Sequence, residues 1–308
     1  MTRRKNPSNL MRTPLAPAPA VTPEMIAHLA YRLTDRDRQI LELVWEHRVL
    51  TTDQLTAIFF PSPIRARQRL ARLRGLFALL RFQPWTPVGS RPQHWVLGPT
   101  GAYVLAVQRG ISVKELGYRQ GRALDAAVSP RLGHQVGVND FFAHLHAHAR
   151  RRGDGTALRE WWSERRCASL WGDLARPDAF GRWTEPQENG RPATVDFFLE
   201  HDTGSETLRR VTAKLDGYTA LAESTGITTP VLFWLPSPTR EANLRKALGT
   251  PDVPVATAVH TPATAPDGPA GPLWLPVGTT GPRRRLSALA HAWPTGGGHG
   301  DPDPTGNA

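Results

Sequence analysis

Cysteine is almost absent from the 308 residues. Cys167 stands alone, so no disulfide can form within the chain, and a thiolate zinc site would need ligands that the sequence does not hold. It reads as a packed or idle thiol. Long apolar runs are missing too: no stretch approaches the length of a membrane span, and the basic N-terminus lacks the continuous apolar segment of a secretion signal. The expected location is therefore cytoplasmic, with no membrane partner. No repeat of fixed period occurs. Negative charge is short as well, with 27 Asp and Glu against 38 Lys and Arg, a formal net charge of +11. A chain of that sign attracts polyanions.

The shortage of acid is complete between residues 62 and 80, SPIRARQRLARLRGLFALL. Ser62 can cap a helix and Pro63 suits its first turn, while Ala66, Leu70, Leu73, Phe77 and Leu80 recur at helical spacing on one face. Arg65, Arg69 and Arg72 line a second face, with Arg67 and Arg74 beside them, and no acid within the stretch can pair with them. Such a helix either presents a solvated basic face or meets an anionic partner. The flanking segments decide. Thr34 with Asp37 has the form of a capping box ahead of Ile40, Leu41, Val44 and Trp45, and Thr52 opens a short apolar run that Pro61 and Pro63 stop. Downstream, two extended pieces surround Pro87, Gly89 and Pro92, and GPTGAYVLAVQRG restarts a helix. Three helices, a hairpin and another helix make a winged helix-turn-helix plan over residues 30–110. In that plan the third helix enters the major groove of double-stranded DNA. Arg65 and Arg69 would face base edges, Arg72 and Arg74 would hold phosphates, and Arg81 and Arg91 on the wing would lie against the backbone or the minor groove.

Length allows two domains. Residues 1–22, with Arg3, Arg4 and Lys5 and a Pro-Ala run, read as a disordered basic arm, and residues 261–308 as a mostly disordered Pro/Gly-rich tail with a short strand near Leu273–Val277 and a basic run at Arg283–Arg285. A polar segment at about 110–129 joins the winged helix to a second domain over 130–260. That domain opens with a helix from Leu132 to Arg151. Strands are expected near Leu158–Glu164, Ala179–Trp183 and Thr194–His201, a helix over Glu206–Glu223, a buried strand at VLFWL, a helix over Thr239–Leu248 and a last strand at Val253–Val259. Trp161 and Trp162 read as the core and surface of one strand.

Acids fall at the ends of those strands: Asp178 opens one, Glu200 and Asp202 close the next, and Lys214 lies on the following helix. Carboxylates gathered at one sheet edge bind a hard divalent cation such as Mg²⁺, and a lysine beside them can activate water for attack on a phosphodiester. Each residue has a plainer reading. Asp178 could begin a strand or turn, Lys214 could pair with Glu206, Asp216 or Glu223, and Asp202 with Gly204 could shape a turn. His144, His146 and His148 are poorly spaced for one ion, since a helix leaves only His144 and His148 on one side.

The PD motif at Pro177 and Asp178, with Glu200 one strand later, resembles the PD-(D/E)XK nuclease superfamily. There the lysine lies two residues after the second acid, a place held here by Asp202, so Lys214 would have to reach back from its helix. From about residue 33 to 250 the chain more closely resembles the actinobacterial replication-relaxation family, through LTDRDRQILELV, the basic helix, LGHQVGVNDFF, RPDA and FFLEHDTGSETLRRVTAKLDGY. That resemblance implies DNA association in plasmid or mobile-element replication and DNA relaxation, and it brings in His134 and Asp140 as residues adjacent to a site. The expected fold class is α+β, an N-terminal winged helix-turn-helix followed by an α/β restriction-endonuclease-like domain with disordered termini. The expected function is DNA binding, to plasmid duplex, with a homodimer as the candidate assembly and an inactive nuclease-like second domain. The alternatives are a Mg²⁺-dependent endonuclease or nickase, with Asp178 and Glu200 as metal ligands and Lys214 as the third catalytic group, and a winged-helix transcriptional regulator.

Overall fold

The computed structural model describes residues 11–13, 19–86, 88–187, 190–260 and 267–293. The expectations of a disordered basic arm at Arg3, Arg4 and Lys5 and of a disordered extreme C-terminus lie outside those residues. The chain is of mixed α+β type and forms two compact units, Met1–Arg151 and Arg152–Ala308.

The first unit runs β1 (Met11–Thr13), α1 (Pro23–Ala30), α2 (Asp35–Glu46), β2 (Leu50–Thr51), α3 (Thr52–Phe59), α4 (Pro63–Gly75), β3 (Leu79–Pro84), β4 (His94–Leu97), α5 (Pro99–Gln108), α6 (Gln120–Val128) and α7 (Leu132–Arg152). Local chemistry starts its helices. The Thr34 hydroxyl accepts from the Asp37 N–H while the Asp37 carboxylate accepts from the Thr34 N–H at 2.7 Å, the reciprocal box read from the sequence. A second box, Thr51 with Gln54, caps α3, which starts at Thr52 as expected. Ser62 caps α4, with Pro63 in the first turn. Ile40, Leu41, Val44, Leu55, Ala66, Leu70 and Leu73 are fully buried, so the apolar faces of α2, α3 and α4 are turned inward. The sheet order is β1-β3-β4-β2, with β3 and β4 antiparallel from Leu79 opposite Leu97 to Phe82 opposite His94. Gly98 lets α5 start against this hairpin, because a Cβ there would meet the Phe77 carbonyl oxygen at 2.1 Å.

Several expectations are corrected here. Met11–Thr13 pairs with β3, so this part of the N-terminal arm is a strand. The linker at 110–129 contains α6 and buries Leu116 and Ala127. Helix 132–151, expected to open the second domain, is bonded into the first unit. The Asn139 amide donates to the Val49 carbonyl at 2.7 Å, and the Gln54 amide donates to the Val136 carbonyl and the Asp140 carboxylate at 2.9 and 2.7 Å.

The second unit runs β5 (Ala157–Ser163), α8 (Glu164–Trp171), β6 (Ala179–Glu185), β7 (Ala193–His201), α9 (Leu208–Thr225), β8 (Val231–Leu235), α10 (Pro238–Leu248), β9 (Val255–Val259) and β10 (Leu275–Pro276). Its sheet has the order β10-β9-β8-β7-β6-β5. Strands β7, β8 and β9 are parallel because α9 and α10 return the chain between them, while β5, β6, β10 are antiparallel to their neighbours. VLFWL is the buried central strand β8. Helix α8, which Ser163 caps, was not expected, and Trp162 does not stand on the surface. Trp162 packs instead against Trp171 and Phe180, in the cluster that also buries Cys167. The largest difference is the tail. The strand expected near Leu273–Val277 is present as β10, but residues 267–293 are part of the body: Trp274, Leu286 and Leu289 are buried, Arg283 pairs with Glu241 at 2.5 Å, and Arg285 pairs with Asp267 at 2.9 Å.

Candidate functional site

In the second unit the acids expected at the sheet edge converge. Glu200 is the penultimate residue of β7 and is only 2% exposed. The Lys214 ammonium donates to its Oε2 at 2.6 Å, and the Tyr218 hydroxyl donates to its Oε1 at 2.6 Å. Lys214 and Tyr218 are four residues apart on α9 and share one face. Gly217, between them, lets that helix settle onto the chain leading into β6, since a Cβ there would meet the Leu174 carbonyl oxygen at 2.3 Å. Asp178 stands just before β6. Its N–H donates to the Leu199 carbonyl at 3.1 Å and its Oδ2 accepts from the His201 N–H at 2.8 Å, which straps two strand ends together.

Burial pushes the Glu200 carboxyl up to about 7, and the nearby Asp178 carboxylate pushes the same way, against the Lys214 and Tyr218 donors. Burial alone would lower Lys214, but the charges of Glu200 and Asp178 raise it above the ordinary lysine value. Burial, followed by the Glu200 charge, lifts Tyr218 well above an ordinary phenol. The sequence reading did not single out Tyr218; its signal was the four-residue step from Lys214.

A bound Mg²⁺ requires near-octahedral oxygen ligands, part of them water. Here both Glu200 oxygens face donors, one of them cationic, and one Asp178 oxygen is held by a backbone N–H. Among the described residues no three of His, Cys, Asp and Glu gather as metal ligands. As arranged, these side chains form a closed ion-pair network and do not fit a divalent cation. Asp202 stands apart from it: it accepts from the Gly204 N–H and pairs with Arg240 at 2.7 Å, the turn-shaping role. His134 and Asp140 lie on α7 in the first unit, so they are not placed beside this cluster by the second unit's own fold.

In the first unit, Arg65, Arg67, Arg72 and Arg74 of α4 are exposed, with no acidic partner among the described residues. Arg69 is not among them. Its guanidinium forms a bidentate pair with Asp37, Nε to Oδ1 at 2.7 Å, and also donates to the Arg32 carbonyl at 2.9 Å. The expected base contact by Arg69 is corrected by that pair: the missing acid came from α2. Arg81 donates to the Gln93 side chain at 2.8 Å, and burial, then the Arg74 charge, lowers its pKa. Arg91 is exposed near the end of the hairpin.

A mixed α+β chain thus carries a helix with four exposed arginines in one unit and a Glu–Lys–Tyr network in the other. The family model for replication-relaxation matches residues 41–232, more than half of the chain, and the protein belongs to that family. Membership supports a role in replication-related DNA processing. No curated protein and no solved structure matches the chain. Among the described residues no helix is long and apolar enough to cross a membrane.

Proposed function

We propose that the protein binds double-stranded DNA in plasmid or mobile-element replication, that its first unit works as a winged helix, and that its second unit is a nuclease-like body that does not cut. The observation carrying this reading is α4. One face, at Ala66, Leu70 and Leu73, is fully buried, while Arg65, Arg67, Arg72 and Arg74 are left exposed. Four guanidinium groups on thirteen residues repel one another, and a phosphate backbone or the acceptor edge of guanine relieves that repulsion. The closed state of Glu200 supports a body without hydrolysis, since neither carboxylate oxygen is directed at a substrate. A homodimer is the assembly that a palindromic site would call for.

The test uses the full chain on plasmid fragments at two or more salt concentrations. Replacing Arg65, Arg67 and Arg72 by Ala is expected to weaken duplex binding and to flatten its salt dependence by roughly one unit of slope per lost phosphate contact. Unchanged affinity would refute the placement of α4. Supercoiled plasmid incubated with the protein and Mg²⁺ or Mn²⁺ is expected to stay uncut. Nicking that disappears in Glu200→Ala would establish the endonuclease alternative instead.

A further inference from the structure

Of the ten tryptophans in the chain, Trp85 alone is more than half exposed, at 55%, and Val88, three residues on, is 85% exposed. Both lie at the far end of the β3–β4 hairpin. The last paired residues are Phe82 and His94, and beyond them the Gln83 amide donates to the Arg91 carbonyl at 2.6 Å. Trp85, Thr86 and residues 88–90 therefore lie past the final cross-strand bond. The stalk beneath is stiff: Phe82 stacks on the His94 ring, Arg81 bridges to Gln93, and β1 pairs along the outer edge of β3 as far as Pro84. Trp85 has no ring or hydrogen-bond partner among the described residues.

An indole left in water on a rigid stalk forfeits much of its burial energy, and its surroundings name the surface that would restore it. The exposed Arg91 flanks the tip, and the opposite end of the hairpin, where β3 begins, follows directly on α4 and packs against it. A flat aromatic surface with an aliphatic residue nearby and one exposed arginine, Arg91, at its flank matches a nucleobase face next to a phosphate. The ladder of a fully paired duplex offers that face only at a step that has been opened.

We propose that Trp85, assisted by Val88, is a stacking wedge that holds an unpaired or unstacked base, so that the protein prefers locally opened DNA to fully paired DNA. This rests on the duplex-binding reading above and adds a second contact to it. The basic helix supplies attraction to the backbone, and the hairpin tip selects the distorted step.

The experiment measures anisotropy of labelled duplexes with the full chain: one fully paired, one with a single mismatch, and one with a three-nucleotide bubble in the same sequence. The wild type is expected to favour the bubble, and Trp85→Ala to lose about 5- to 150-fold of affinity for it while keeping its affinity for the paired duplex. Trp85→Phe should keep most of the preference, and melting curves of both variants should match the wild type because the side chain is a surface one. Equal binding of all three duplexes by the wild type, or a preference that survives Trp85→Ala, overturns the wedge. Absence of any duplex binding overturns the underlying reading and the wedge together, whereas loss of paired binding in Arg65→Ala/Arg67→Ala with the bubble preference retained upholds both.

Discussion

Arg69 of α4 grips Asp37 of α2 through two hydrogen bonds, across 32 positions of sequence, while the same carboxylate caps its own helix through Thr34. One buried acid thus fixes both the start of α2 and the orientation of α4. Burial works against its ionisation, but the Arg69 and Thr34 donors more than offset this and hold Asp37 below the ordinary carboxylate range.

Removing Arg69 leaves a fully buried carboxylate without its cation. Arg69→Ala is expected to destabilise the first unit by about 3 kcal/mol in urea unfolding, while the molecules that remain folded bind duplex within about twofold of the wild type. The reverse pattern, intact stability with lost affinity, would return Arg69 to the DNA-facing set.

Glu200→Ala strips the buried Tyr218 hydroxyl of its acceptor and should cost about 2 to 4 kcal/mol. Glu200→Gln keeps an acceptor for Tyr218 and should cost less. The sign of its pH dependence follows from a folded value of about 7 set above the unfolded 4.5. The folded wild type binds a proton more readily, so that contribution is present below pH 4.5 and is lost as pH rises through 7. The stability of the wild type relative to Glu200→Gln should therefore fall between pH 4.5 and 7, as read by denaturation at a series of pH values. A constant difference across that range would contradict the network.

His94 shifts the other way. Burial, with the Arg91 charge adding to it, lowers its pKa from 6.5 to about 4 despite the contact with the Pro92 carbonyl. The unfolded chain takes up that proton first as the solution is acidified, so stability drops by about 3 kcal/mol between pH 6.5 and 4. His94→Phe, which keeps a ring against Phe82, should flatten this acid limb. A limb of unchanged steepness would place the titrating group elsewhere.

Ending the chain after His260 would remove β10, the indole of Trp274 and the partners Arg283, Arg285 and Ser287, leaving the buried carboxylates of Glu241 and Glu185 without them. Calorimetry should then show loss of the second unit's cooperative transition, with that of the first unit retained. A full second transition in the truncated chain would show that this segment is dispensable.

The elements legible in advance are those whose cause is local. The Thr34 and Ser62 caps, the apolar stripe of α4, the VLFWL strand and the alternation ending at Glu200 each sit within a few residues of the feature they create. Helix α8 escaped notice because eight residues leave too short a period to distinguish from a strand end. The tail misled because its Pro and Gly content resembles that of disorder, whereas its stability comes from Trp274 and from acids on distant elements.

The sequence by itself determined most of the helices and strands, the basic stretch and the acids available near β7, because caps, periodicity and charge act over short separations. Only the tertiary structure decided which arginine of α4 was already paired, that α7 belongs to the first unit, and that Glu200 is enclosed by Lys214 and Tyr218. Pairing energies depend on distances in space, and residues such as Asp37 and Arg69 become neighbours only once the apolar faces between them are buried.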